Sequence, residues 1–358
     1  MIALIVGAVA IISRPFSTYV KFVYPNAKFE AIGNPYVTER ELSRIIENKD
    51  LGTFKDSLNS SKDYNVEGED IKSIQNSLDD HLLTSINMMK ADSSKKMKEF
   101  FDTYLEKLDI YLIKNSIKNI VVGKTLDADI TGKAFKIYTK ALLQKLIDSK
   151  KENIPDILKE NGFNEEIIKS VSEEKINLIK LDIAFDTFII EKLRTVKVPY
   201  KCEPPKKRFI NTLIDITNIR NILRAKQIGY SEEACLDLFI GEGQEIPFWK
   251  FKEIAIAESV PQVVSALDGT SYYSALSDTL EDYNKDKSVQ ALESSLEERF
   301  LAIVKNISLK NYVTIGPTLR FLVNKEYEIR NLKAVVKGIG ENIPSDIINR
   351  LMIKEASA

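Results

Sequence analysis

The sequence predicts an all-α protein in which one helical unit is used three times. Three observations carry this. Apolar residues recur at i, i+3 and i+4 in almost every long stretch, which is the period of a helix with one buried face. Prolines fall between those stretches, at Pro155, Pro199, Pro204-Pro205, Pro247, Pro261 and Pro344, where helices end and begin. A three-part pattern also returns in the same order at a period of about a hundred residues, and such a period marks a repeated architectural unit. Sustained alternation of apolar and polar residues, the signature of strands, is absent.

The last part of the pattern is the clearest. Ile113-Lys114-Asn115 is followed by Gly123, Ile219-Arg220-Asn221 by Gly229, and Ile329-Arg330-Asn331 by Gly338 and Gly340. The three isoleucines are 106 and 110 residues apart. The middle part is Leu-[Asp/Glu]-x-x-[Leu/Phe], at Leu78 with Leu82, Leu181 with Phe185 and Leu292 with Leu296. It stands 35, 38 and 37 residues ahead of the isoleucine. The first part is an apolar helix ending in a leucine and then an aromatic. It runs from Leu42 to Leu58 and Tyr64, from Leu143 to Leu158 and Phe163, and in a degraded copy from Phe251 to Leu267 and Tyr272.

In chain order, Met1 to Ile12 is apolar throughout, and Ser13-Arg14-Pro15 is expected to close it. Twelve helical residues span roughly 18 Å, short of the roughly 30 Å hydrocarbon core of a bilayer. A buried helix, a short membrane anchor and an artefact of the start site all fit, and Arg14 and Lys21 would keep the downstream side cytoplasmic. Thr38-Glu39-Arg40-Glu41 reads as a capping box that opens a helix with Leu42, Ile45 and Ile46 on one face. Helices are expected over residues 134–147, 165–188, 207–227, 288–304 and 316–336. Tyr200 to Arg208 reads as a connector, with Lys206-Lys207-Arg208 the solvated start of the next helix. Breaks near Asp127-Ala128-Asp129 and Gly241-Glu242-Gly243-Gln244 divide the chain into an apolar segment, 1–23, and three units, 24–127, 128–242 and 243–358.

Bulk composition narrows the function. With 51 basic and 52 acidic residues the net charge is −1, and a nucleic-acid binder needs a basic surplus. Two cysteines, Cys202 and Cys235, make no disulfide framework and suit a reducing compartment. A single histidine, His81, disfavours histidine-rich metal sites and His-based triads.

Each fragment with chemical potential has a plainer reading. Gly123-Lys124-Thr125 has the ending of a phosphate-binding loop. The position five residues before Gly123 is Lys118 rather than glycine, and the preceding residues read as a helix, so Gly123 is expected to be a helix C-cap. The other two copies place Ala184 and Ser295 where His81 stands, so the repeat does not require the histidine. The pairs Asp182/Asp186 and Glu293/Glu297 lie one turn apart and are expected to form salt-bridged helix surface. No catalytic, cofactor-binding or metal-binding residue is assigned.

Polar residues are best specified along the Ile-[Lys/Arg]-Asn helices: Asn115, Asp215, Arg220, Asn221, Arg224, Glu326, Glu328, Arg330 and Asn331. They are expected to fix helix geometry or touch a partner, with the arginines pairing to Asp215, Glu326 or Glu328.

Three stretches resemble the C subunit of the archaeal-type rotary ATP synthase, the counterpart of the d subunit in vacuolar ATPases. Tyr24-Pro25-Asn26-Ala27-Lys28-Phe29-Glu30-Ala31 resembles the family's opening Tyr-x-Asn-Ala-Arg-Val-Arg-Ala. Residues 215–226, with Asp215, Asn218, Arg224 and Lys226, resemble its middle helix. Gly316-Pro317 through Glu326-Tyr327-Glu328-Ile329-Arg330-Asn331-Leu332 resembles its C-terminal signature and is the most specific of the three. Lys28, Phe29 and Glu30 depart from the arginine-rich opening, which weakens a partner-binding role there.

The resemblance implies three similar helical domains about a pseudo-threefold axis, forming a funnel. It also implies a peripheral position on the cytoplasmic face of the membrane, with the rotor shaft subunits and the membrane proteolipid ring as partners, and a non-catalytic role in coupling ion translocation to ATP synthesis or hydrolysis. Whether the ion is a proton or sodium is a property of other subunits. A helical-repeat adaptor is the alternative, disfavoured because such repeats are about 20–50 residues long. An enzyme on a helical scaffold is disfavoured by the missing constellation.

Overall fold

A computed structural model describes residues 2–32, 39–60 and 64–355, and among these every regular element is helical. The first part of the chain forms α1 (Ile2–Ile32), α2 (Glu39–Ile46), α3 (Leu51–Asn59), α4 (Ile71–Asp92) and α5 (Lys98–Val121). The middle forms α6 (Ile137–Ile147), α7 (Ile154–Glu160), α8 (Glu165–Ser172), α9 (Leu178–Thr195), α10 (Glu203–Gln227) and α11 (Glu232–Leu236). The last part forms α12 (Phe248–Ile256), α13 (Val260–Ala266), α14 (Tyr273–Asp278), α15 (Leu280–Asp286), α16 (Gln290–Lys310), α17 (Gly316–Gly340) and α18 (Ser345–Arg350). The all-α class read from the sequence is what is found.

The chain divides into two compact units. One comprises Met1–Lys98, Lys197–Thr212 and Ser274–Ala358. Its axis is α17, which packs against α16, α4 and α1 and is buried along most of its length. The other comprises Glu99–Val196 and Leu213–Tyr273. There Ile113, Ile117, Leu143, Leu158 and Phe185 meet in one core, with α7, α8 and α9 packed in succession.

The apolar positions of the repeat are the core. Leu78, Leu181 and Leu292 are buried, as are Ile113, Ile219 and Ile329. The degraded first part of the third copy is no exception, since Phe251, Ile254, Leu267 and Tyr272 are all fully buried. The element is kept, as α12 and α13, where its sequence pattern is weakest.

Among the boundaries that differ from expectation, three have a clear physical cause. Ser13-Arg14-Pro15 does not close the first helix, because α1 continues through Pro15 and Pro25 to Ile32. An interior proline costs about 3 kcal/mol, and tertiary docking offsets it: Thr18, Phe22, Pro25, Asn26 and Phe29 form one buried face, and α1 packs against α17 and α4. The side chains of residues 1–12 and the capping residue Thr38 lie outside the described set. Among the described residues no helix is long and apolar enough to cross a membrane. The single helix expected over 165–188 is two, because Asn177 turns its side chain onto the N–H groups of Ile179 (3.0 Å) and Lys180 (3.2 Å) and starts α9 afresh. Residues 203–208 are already the first turns of α10, and Lys206 is not solvated. It is 1% exposed, with Nζ 2.9 Å from Glu203.

Candidate functional site

The polar residues of the repeat act in registers that recur from copy to copy. Aligned on the isoleucines, Asp109, Asp215 and Lys325 occupy one position of the long helix, four residues before Ile113, Ile219 and Ile329. Asp109 accepts the backbone N–H groups of Phe135 (2.8 Å) and Lys136 (3.0 Å), just ahead of α6. Asp215 accepts those of Gln244 (3.0 Å), Glu245 (2.9 Å) and Ile246 (2.9 Å), just ahead of α12. Each aspartate therefore ties the long helix of one copy to the first helix of the next.

Asp215 also accepts the Tyr272 hydroxyl (3.0 Å), and Tyr272 is the aromatic that ends the first part of the third copy. The same step reappears with reversed charge at the third position. Lys325 Nζ donates to the hydroxyl of Tyr64 (2.9 Å), the corresponding aromatic of the first copy, and pairs with Glu328 (2.8 Å). Lys325 and Glu328 are both buried, so the ammonium is neutralised and hydrogen-bonded as a buried charge must be.

A second register runs backwards. In the first two copies the acid of the Leu-[Asp/Glu] part reaches a base on the long helix of the copy before it, the third standing before the first. Asp182 in the second copy is bound by Lys118 and lies 3.5 Å from Lys114, which also pairs with Asp186 (2.6 Å). Asp79 in the first copy is bound by Lys333 (2.5 Å) in the third, and the Gln75 amide donates to the Lys333 carbonyl (2.9 Å). The salt-bridged reading of Asp182/Asp186 holds.

Asn331 donates to the Ile353 carbonyl (2.7 Å) and accepts its N–H (3.0 Å), pinning the C-terminal segment. Asn218 does the same for the loop ahead of α12, donating to the Gly241 carbonyl (2.9 Å) and accepting from the Ile240 N–H (3.1 Å). Arg330 pairs with Glu297 (2.8 Å), not with Glu326 or Glu328 as expected, because Glu328 is engaged by Lys325. Asp215 is filled by backbone donors and a tyrosine, where an arginine was expected. Asn221 is buried and its amide nitrogen has no hydrogen-bond partner among the described residues. Asn115, Arg220 and Glu326 are half-buried and Arg224 is exposed.

The opening motif, too, is a dock. Asn26 in α1 donates to the carbonyls of Tyr312 (2.8 Å) and Thr314 (2.9 Å), Phe29 stacks on Phe321 at 5.2 Å, and Lys28 pairs with Asp92 (2.6 Å). Sequence reasoning does not single out Asp109 or Lys325 as polar determinants. Alignment of the three copies on their isoleucines is the signal that finds them, because it sets both beside Asp215. Tyr272 is marked only as an apolar end of its helix, and its hydroxyl contact needs the fold.

The fragments with chemical potential keep their plain readings. Gly123 follows α5 with φ +76°, the left-handed C-cap, and Lys124 and Thr125 are exposed. His81 stacks on Tyr64 at 4.4 Å, and burial, with the charge of Lys325 nearby, lowers its pKa to about 4. Cys202 and Cys235 are buried free thiols, and burial pushes Cys202 up to about 12. Among the described residues no group of three His, Cys, Asp or Glu is placed to hold a metal ion.

The sequence places this chain in a known family. Residues 25–351 match the family described as ATP synthase (C/AC39) subunit, and the chain belongs to that family. It is similar to the A-type ATP synthase C subunit of Methanothermobacter thermautotrophicus, 28% identical over 361 residues that cover 97% of this chain and 92% of that protein. It is also similar to the A-type ATP synthase C subunit of Methanocaldococcus jannaschii, 28% identical over 353 residues, 93% of this chain and 86% of that protein. The resemblance seen in the three sequence stretches is borne out.

Proposed function

We propose that this chain is the non-catalytic central-stalk coupling subunit of an A-type/V-type ATP synthase, joining the rotor shaft to the membrane ion-carrying ring. In this reading residues 24–127, 128–242 and 243–358 are three similar helical domains about a pseudo-threefold axis, arranged as a funnel whose socket receives the shaft. The family match over almost the whole chain carries the proposal. The recurring links support the threefold part, because the Asp79–Lys333 and Lys325–Tyr64 contacts join the third copy back to the first in the sense that Lys114–Asp182 and Asp215–Tyr272 join successive copies. Packed helices of low compressibility suit the transmission of torque.

Affinity purification of the full chain from gently solubilised native membranes tests this. Recovery of ATPase head, shaft and ring subunits in fixed ratio is expected. Recovery of the chain alone, or with unrelated soluble proteins, would overturn the coupling role and favour a helical adaptor.

A further inference from the structure

Helix α1 is apolar on both sides between Phe16 and Phe29, yet only one side is covered. Thr18, Phe22, Pro25, Asn26 and Phe29 make up the covered side. Directly opposite, Phe16, Tyr19, Val20, Val23 and Tyr24 follow the i, i+3, i+4, i+7, i+8 spacing of a single stripe, and all five are exposed, Phe16 at 69% and Tyr24 at 61%. An apolar stripe of this length left in water marks an interaction surface.

Charge says what covers it. No acidic residue occurs before Glu30, while Arg14, Lys21 and Lys28 do. Lys28 is taken by Asp92, but neither Lys21 nor Lys96 is engaged by a carboxylate among the described residues. Beside the stripe Lys21 and Lys96 line a cavity of about 310 Å³ together with Ser17 and Tyr200, two ammonium groups and two hydroxyls that are all donors to a phosphate oxygen.

We propose that this face of α1 lies in the headgroup region of an anionic bilayer, with Phe16, Val20 and Val23 reaching the acyl boundary and Lys21, Lys96, Ser17 and Tyr200 receiving a lipid phosphate. Tyrosines at the flanks of the stripe suit the interface, where the ring is dry and the hydroxyl wet. The proposal deepens the coupling reading, on which it rests for placing the chain beside a membrane. It adds a contact with lipid to the contact with the ring, and it lays residues 16–29 of α1 along the membrane surface.

Co-sedimentation of the isolated full chain with vesicles tests it independently of ring binding. Binding to mixed phosphatidylglycerol–phosphatidylcholine vesicles, weakened by salt, and little binding to pure phosphatidylcholine are expected. Lys21→Gln/Lys96→Gln lowers the partition coefficient roughly thirtyfold, from about 1 kcal/mol per surface lysine. Phe16→Ser/Val20→Ser lowers it about tenfold or more, and since all four side chains are exposed both variants keep the wild-type helical circular dichroism. Unchanged binding in either variant, or salt-independent binding to neutral vesicles, overturns the proposal. So does tight binding of inorganic phosphate without vesicle binding, which assigns the cavity to a soluble anion. Loss of ring co-purification in the stripe variant with vesicle binding intact overturns it too, in favour of a protein occupant. Failure of vesicle binding with normal co-purification overturns the lipid contact and leaves the coupling role standing.

Discussion

Asp215 holds four donors at once, three backbone N–H groups and a phenol, and it is fully buried. Burial outweighs those donors and raises its pKa from 3.8 to about 6. An acid with a raised folded pKa binds more protons folded than unfolded, so its contribution to stability falls as pH rises from about 3.8 to about 6. His81 acts in the opposite sense. Its pKa is lowered from 6.5 to about 4, so stability is lost as pH falls through that window. In the wild type the two slopes oppose each other between about pH 4 and about pH 6. Asp215→Asn keeps one acceptor and turns an NH₂ toward N–H donors, costing on the order of 3 kcal/mol. Urea midpoints across that pH range should show Asp215→Asn gaining stability as pH rises and His81→Phe, which keeps the stack on Tyr64, losing it. Parallel pH profiles for wild type and both variants would show that neither group is linked to folding.

At the scale of the element, the glycines that follow the repeated Ile-[Lys/Arg]-Asn do different work in different copies. Gly123 and Gly229 sit past their helices at φ +76° and +79°, with open space where a Cβ would stand. Gly338 and Gly340 lie inside α17, where a Cβ would come within 2.5 Å of the Ile348 and Ile71 side chains respectively. Gly229→Ala should cost about 1–2 kcal/mol through left-handed backbone strain. Gly338→Ala should cost about 1–3 kcal/mol through overpacking, and Ile348→Val should relieve part of it. Thermal denaturation of the single and double variants separates the two mechanisms, because Ile348→Val cannot rescue Gly229→Ala. Helix periodicity made most of these elements legible in advance. It did not show where α8 stops and α9 starts, since Asn177 serves as a cap only once the chain on either side has found its packing.

For the whole molecule, the charged links between copies can be tested pair by pair. Asp79–Lys333 and Asp182–Lys114 are partly buried pairs between segments far apart in sequence. Double-mutant cycles on Asp79→Asn/Lys333→Met and Asp182→Asn/Lys114→Met should each return a coupling of about 1 kcal/mol. Strict additivity in both cycles would reduce these pairs to surface decoration.

The sequence alone determined the helical class, the tripled pattern and the family, because each is written in local periodicity or in ordered motifs that survive divergence. It also located the buried apolar positions, since core burial imposes a period of about 3.6 on any helix. Which charges meet was decided only by the tertiary structure. Arg330 turns to Glu297 because Lys325 already holds Glu328, Asp215 is filled by backbone donors from the next copy, and α1 runs on through two prolines because one face is docked. The physical reason is common to all three. A polar side chain takes whichever partner the fold brings within about 3 Å, and that distance is set by packing between segments tens to hundreds of residues apart.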